Sequence, residues 1–241
     1  MKKHIPNLVT LLNLLSGCIA VLFATNGDLT KAALFAFLGI FFDFFDGLLA
    51  RKLNVQSELG LQLDSLADVV TSGLVPGLVM YQLIKLAGPQ WTESENLLEV
   101  FKWDAEHLLP FVGLLITLAS AYRLAKFNIS TNQSEQFIGL PTPANSLLIL
   151  SFPLILAYHN SDAINAIILN QWFLIAVTLA SSILLNTRLK LLALKFKDWS
   201  FKNNAARYLL IILSAVLLII FQFAAIPLII LFYIIISILN R

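Results

Sequence analysis

Apolar residues in this chain come in long unbroken runs, where a soluble helix or strand would alternate them with polar ones. Runs of about 20 residues match the roughly 30 Å hydrocarbon core of a bilayer at 1.5 Å per helical residue, and lipid offers an open backbone no partner, so each run is predicted to be helical. They lie near 7–26, 30–50, 61–86, 109–127, 144–158, 163–185, 204–222 and 225–240. The last two come from one stretch, Tyr208 to Asn240, that carries no charge and is too long to cross once; Pro227, just after Gln222, is the expected break. The predicted fold is all-α, a polytopic transmembrane bundle of about eight helices.

Composition agrees. Of the 241 residues 59% are apolar and 12% charged, against roughly 45–50% and 25% in soluble domains, and the mean hydropathy is +0.83. Disorder is excluded and a soluble globule disfavoured. The net charge of +2 gives no ground for nucleic-acid binding, and a single cysteine, Cys18, allows no disulfide framework.

Charge sets an orientation. Lys2, Lys3, Arg51, Lys52, Arg123, Lys126, Arg188, Lys190, Lys195, Lys197, Lys202, Arg207 and Arg241 fall on one side of the predicted bundle, and only Lys31, Lys85 and Lys102 on the other. The positive-inside rule then puts both termini in the cytoplasm, and the cytoplasmic membrane of a prokaryote is the expected location. Lys2 and Lys3 before an apolar run imitate a secretory signal, but the run is long and lacks a small-x-small cleavage site. It also carries Asn7, Thr10 and Asn13 at i, i+3 and i+6, one polar stripe for which a cleaved signal has no use.

Several features read as structural. Glu93 to His107 is expected to form a short outer-surface helix, and Lys190 to Lys202, interleaving aromatics and lysines, to lie on the inner leaflet. Ser72, Gly73, Pro76 and Gly77 make a small-residue face suited to close helix packing or a homodimer contact. Phe41, Phe42, Phe44 and Phe45 read as lipid-facing or packing residues, and His4, His107 and His159 are too scattered to form one metal site.

Chemistry concentrates in the second and third spans. Asp43 and Asp46 stand at i, i+3 on one helix, Asp64 and Asp68 at i, i+4 on the next, so each pair shares a face. Each aspartate at bilayer depth costs about 2.5–3.5 kcal/mol on insertion scales before mutual repulsion. A cation must gather them. Arg51 and Lys52 can neutralise two at most, whereas an all-oxygen set without His or Cys suits Mg²⁺ or Mn²⁺, and four charges match two divalent ions. Two-metal sites serve phosphoryl transfer. A carboxylate-lined cation transporter is the non-enzymatic alternative, but Arg51 and Lys52 would repel an entering cation and attract a phosphate.

The spacing Asp43-x-x-Asp46-Gly47-x-x-Ala50-Arg51, eight further residues, then Gly60-x-x-x-Asp64-x-x-x-Asp68 resembles the signature of the CDP-alcohol phosphotransferase family. The resemblance implies a six-helix catalytic core within residues 1–203, with 204–241 a separate C-terminal hairpin. It implies a CDP-linked lipid as donor and CMP as leaving group, at a site on the cytoplasmic end. Asp43, Asp46, Asp64 and Asp68 would be metal ligands, with Asp68 also the general base. Asn7, Thr10, Gly47, Ala50, Arg51 and Gly60 would bind CDP-diacylglycerol.

A second stretch, Arg123-Leu-Ala-Lys126-Phe127-Asn128 followed by Gly139-Leu-Pro-Thr-Pro143, is similar to that of the serine-using members of this family. It implies L-serine as acceptor, with Arg123, Lys126 and Asn128 as serine-binding residues. A cation there suits serine's carboxylate, although both basic residues also fit as plain positive-inside anchors. Glycerol 3-phosphate or inositol phosphate is the alternative acceptor and would want a denser basic pocket. The loop from Asn128 to Pro141 reads equally as a lid or as a connector.

Overall fold

The computed structural model describes residues 4–88, 108–129, 137–192 and 200–239. The predictions for Glu93–His107, for most of Lys190–Lys202 and for the polar centre of the Asn128–Pro141 loop lie outside the described residues.

Helices occupy all eight predicted span positions. In order they are α1 (Ile5–Thr25), α2 (Leu29–Lys52), α3 (Glu58–Asp68) running through a π turn (Val69–Leu74) into α4 (Val75–Ala87), a 3₁₀ turn (Leu109–Leu114) leading into α5 (Leu115–Ile129), α6 (Thr142–Tyr158), α7 (Asp162–Ile168), α8 (Gln171–Asn186), α9 (Phe201–Phe221) and α10 (Ala225–Leu239). Five stretches are long and apolar enough to cross a membrane, or six if α7 and α8, bent by 56° at their junction, count as one span; α6 is apolar but shorter. Among the described residues the only strands are β1 (Phe137–Ile138) and β2 (Lys190–Leu191), which pair antiparallel.

One of the five stretches, Asn204–Leu239, folds back on itself. The break is at Gln222, not at Pro227. Gln222 takes φ 48°, a left-handed conformation that ends α9, and a 3₁₀ turn at Gln222–Ala224 reverses the chain. Pro227 then falls in the first turn of α10, where a missing N–H leaves no hydrogen bond unmade.

Along α1 and α2 small and polar residues face inward and large apolar ones outward, as close packing in lipid favours, while α4 and α6 bury larger residues such as Leu83, Ile84 and Leu150. On α1 the buried face is Thr10, Asn13, Ser16, Gly17, Ala20 and Ala24, while Leu8, Leu15 and Leu22 are exposed. Phe41 and Phe44 on α2 likewise face outward, as expected. Three helices meet closely at Thr71 in the π turn. A Cβ on Gly17 or on Gly39 would collide with its side chain, and the Thr71 hydroxyl donates to the Asn13 carbonyl at 3.2 Å. The small-residue face of the third span packs within the chain: Thr117 of α5 donates to the Gly73 carbonyl at 3.1 Å, and Gly77 and Gly113 lie against the opposing helix backbone or side chains.

At the other end of α1 and α2, Asp28 caps α2, accepting from the Lys31 amide at 3.1 Å and pairing with its ammonium at 2.7 Å. That hydrogen-bonded ammonium holds the Asp28 carboxyl below its usual range.

Candidate active site

The site lies at the end of the bundle where α1 and α3 begin and α2 ends. Its shape starts with the end of α2. Asn54 adopts a left-handed φ of 53°, and the Val55 amide returns to the Ala50 carbonyl at 3.0 Å, closing the helix. The chain then runs as a wall, Val55–Ser57, until the Ser57 hydroxyl caps α3 by accepting from the Gly60 amide at 3.1 Å. Between this wall and α1 opens a cleft of about 470 Å³.

All six residues expected to bind the lipid nucleotide line that cleft: Asn7 and Thr10 from α1, Gly47, Ala50 and Arg51 from α2, and Gly60 from α3. Asp46 and Asp64 line it too. The two glycines differ. A Cβ on Gly60 would sit 3.2 Å from Ser57 Oγ and 3.3 Å from Asn7 Oδ1, so its absence lets α1 and α3 approach. A Cβ on Gly47 would meet only Arg51 Nη2, at 3.9 Å, so a side chain there would project into the open cleft.

One carboxylate oxygen from each of Asp43, Asp46 and Asp64 lies within 4.8 Å of the others. Burial and like charge make this arrangement costly without a cation. None of the four aspartates is ion-paired to a lysine or arginine among the described residues, and Asp46 Oδ2 is buried without a hydrogen-bond partner. An all-oxygen, unneutralised triplet with an orphaned oxygen fits a hard divalent cation. Asp68, one turn further along α3, stands outside the triplet. Its Oδ1 accepts from Asn13 Nδ2 at 3.4 Å, and Arg123 lies within electrostatic reach.

The three residues expected near serine separate. Arg123 is half-buried, donates to the Thr142 hydroxyl at 3.1 Å and leaves its Nε without a partner. Asn128 ties α5 to α3, accepting from the Ser65 hydroxyl at 3.1 Å and donating to Gln62 at 3.4 Å. Lys126, three residues on from Arg123 in the same helix, is exposed.

Residues 3–239 match the CDP-alcohol phosphatidyltransferase family. The chain belongs to this family. It is 37% identical over 164 residues to the CDP-diacylglycerol–serine O-phosphatidyltransferase of Bacillus subtilis, covering 64% of this chain and 81% of that protein. It is 30% identical over 162 residues to the archaetidylserine synthase of Methanothermobacter thermautotrophicus, covering 66% and 61%, respectively. It is 31% identical over 147 residues to the CDP-diacylglycerol–serine O-phosphatidyltransferase of Helicobacter pylori J99, covering 60% and 55%. In this member of the family the aspartate cluster and the cleft adjoin, sharing Asp46 and Asp64. Two features of that place escaped the sequence reading. Asn13 was visible as part of the polar stripe but was not connected with Asp68, 55 positions away. The π turn directly after Asp68 leaves no mark in composition, although such turns recur at functional sites.

Proposed function

We propose that this chain transfers the phosphatidyl group of CDP-diacylglycerol to the hydroxyl of L-serine, giving phosphatidylserine and CMP. The observation that carries the reading is the position of Asp68 between two different environments: the aspartate triplet beside the cleft on one side, and the half-buried Arg123, whose Nε has no partner, on the other. The relatives whose names specify serine-containing products support the choice of acceptor.

In this mechanism the cleft holds the cytidine diphosphate, with Arg51 on its phosphate and the open face of Gly47 admitting it. Asp43, Asp46 and Asp64, with Asp68 beside them, would hold the divalent ions, Mg²⁺ or Mn²⁺, which when bound would supply neutralisation of diphosphate charge and of the charge that develops in transfer. Arg123 binds the serine carboxylate by charge-assisted hydrogen bonds and brings the hydroxyl to the lipid-side phosphorus. The serine oxygen forms a bond to that phosphorus, the bond to the bridging oxygen breaks, CMP departs with it, and Asp68 takes the serine proton. The excess of Lys and Arg at this end of the bundle supports a cytoplasmic orientation for the site and both termini.

The test is CMP release by purified protein given CDP-diacylglycerol, divalent metal and each acceptor separately. Serine-dependent release with phosphatidylserine as product is expected. Release that needs glycerol 3-phosphate or inositol phosphate instead would overturn the choice of acceptor.

A further inference from the structure

We infer that the last helix, α10, positions the acceptor side of the site through Tyr233 and Ser237, which together clamp the backbone of Leu192. The inference rests on the proposed reading of Arg123 and extends it to a part of the chain that touches neither the aspartates nor the cleft.

The chain of contacts is continuous. The Tyr233 hydroxyl donates to the Leu192 carbonyl at 3.1 Å, and the Leu192 amide donates to Ser237 Oγ at 3.1 Å, so one residue's two backbone groups are both held by α10. Leu192 directly follows β2, whose Leu191 and Lys190 pair with Phe137 and Ile138 of β1. The strand pair continues into a turn that is pinned again: the Gly139 amide donates to the Leu189 carbonyl at 2.8 Å and the Leu140 amide to the Leu184 carbonyl at 2.9 Å. Gly139 is required there. Its φ is +75°, and a Cβ would lie 2.5 Å from the Leu185 carbonyl oxygen. Three residues on, Thr142 accepts from Arg123.

Beneath this strap Leu140, Leu191, Leu210, Ile230 and Tyr233 form a separate apolar cluster, distinct from the main core between α1, α2, α4 and α6. The strap therefore has its own packing, and α10 supplies both its apolar floor and its polar clamp. Tyr233 and Ser237 are among the few polar residues in an otherwise apolar helix, one turn apart on a buried face. A helix needed only to fill the membrane has no use for that pair. With the clamp intact, Thr142 fixes one branch of the Arg123 guanidinium while Nε stays available to a carboxylate.

The experiment uses the full chain in detergent or nanodiscs. Tyr233→Phe and Ser237→Ala each remove one clamp bond, and each should raise the serine KM about two- to tenfold, the effect of one hydrogen bond. The CDP-diacylglycerol KM and kcat should stay within about twofold. Ser237→Thr, which keeps the hydroxyl, should restore the wild-type serine KM, and Leu231→Ala, on the exposed face of α10, should leave it unchanged. In the double variant the Gly139 and Leu140 amides should exchange hydrogen faster, while those of α1 and α2 do not. Unchanged exchange at Gly139 and Leu140, or equal rises in both KM values, overturns the inference. Absence of serine-dependent turnover in the wild-type protein would instead sink the proposed function, and the exchange measurement would still decide the clamp.

Discussion

Asn13 and Asp68 stand 55 positions apart in the chain, yet the side-chain amide of Asn13 donates to Oδ1 of Asp68 at 3.4 Å. This bond orients one carboxylate of the four with a neutral protein donor, while the other three crowd around a common point. Four residues of one type thus face two kinds of surroundings. A carboxylate held through one oxygen presents the other in a fixed direction, which is what proton abstraction from an acceptor hydroxyl requires.

Asp68→Asn should accordingly retain binding of CDP-diacylglycerol and lose turnover by about 10²-fold or more, the usual contribution of a general base. Donor binding by calorimetry beside CMP release separates the outcomes. If donor affinity falls as far as the rate, Asp68 serves chiefly as a metal ligand.

The triplet predicts a metal requirement that can be read without turnover. Binding of Mg²⁺ or Mn²⁺ at Asp43, Asp46 and Asp64 would relieve their mutual repulsion, so either ion should raise the thermal unfolding temperature of the wild-type protein. The rise should be much smaller in Asp43→Asn, Asp46→Asn and Asp64→Asn, each of which should also lose most activity. Full activity in excess chelator would contradict the assignment.

Arg123 and Lys126 are indistinguishable as sequence, both basic and near the end of one predicted span, and the structure separates them by burial. Arg123→Ala should cost about 1.5–3 kcal/mol of serine binding, roughly 10- to 100-fold in apparent affinity, with the lipid donor dependence nearly unchanged. Lys126→Ala should change serine dependence by less than about threefold. Equal effects of the two variants would point to a surface charge effect on both.

How far the sequence reached depends on what each feature answers to. The spans were legible because lipid leaves a backbone few choices, and the aspartates because four acids at that depth have no structural explanation. The break at Gln222 was misplaced to Pro227, since proline is a local signal of helix termini while a left-handed glutamine is imposed by the reversal of α9 onto α10. The π turn, the Thr71 crossing and the Leu192 clamp all depend on partners tens of residues away, and no local pattern records them. Tyr233 and Ser237 did leave a trace as an i, i+4 polar pair in an apolar run.

The glycines offer the sharpest separation of fold from function. A Cβ on Gly39 would come within 2.6 Å of Thr71 Cγ2 and 2.9 Å of Asn13 Oδ1 at the Thr71 crossing, so Gly39→Ala should destabilise the protein by about 1–3 kcal/mol through overpacking. Gly47 is one heptad and one residue further along the same helix, and its surroundings are open. Gly47→Leu should leave thermal stability unchanged or slightly higher, because leucine is the better helix former. Its side chain would occupy the cleft, and the CDP-diacylglycerol KM should rise at least tenfold while metal-induced stabilisation persists. Thermal unfolding with and without Mn²⁺, beside the donor dependence of CMP release, measures all three. If Gly47→Leu unfolds the protein while donor affinity in the folded fraction is normal, the cleft is not where the nucleotide binds.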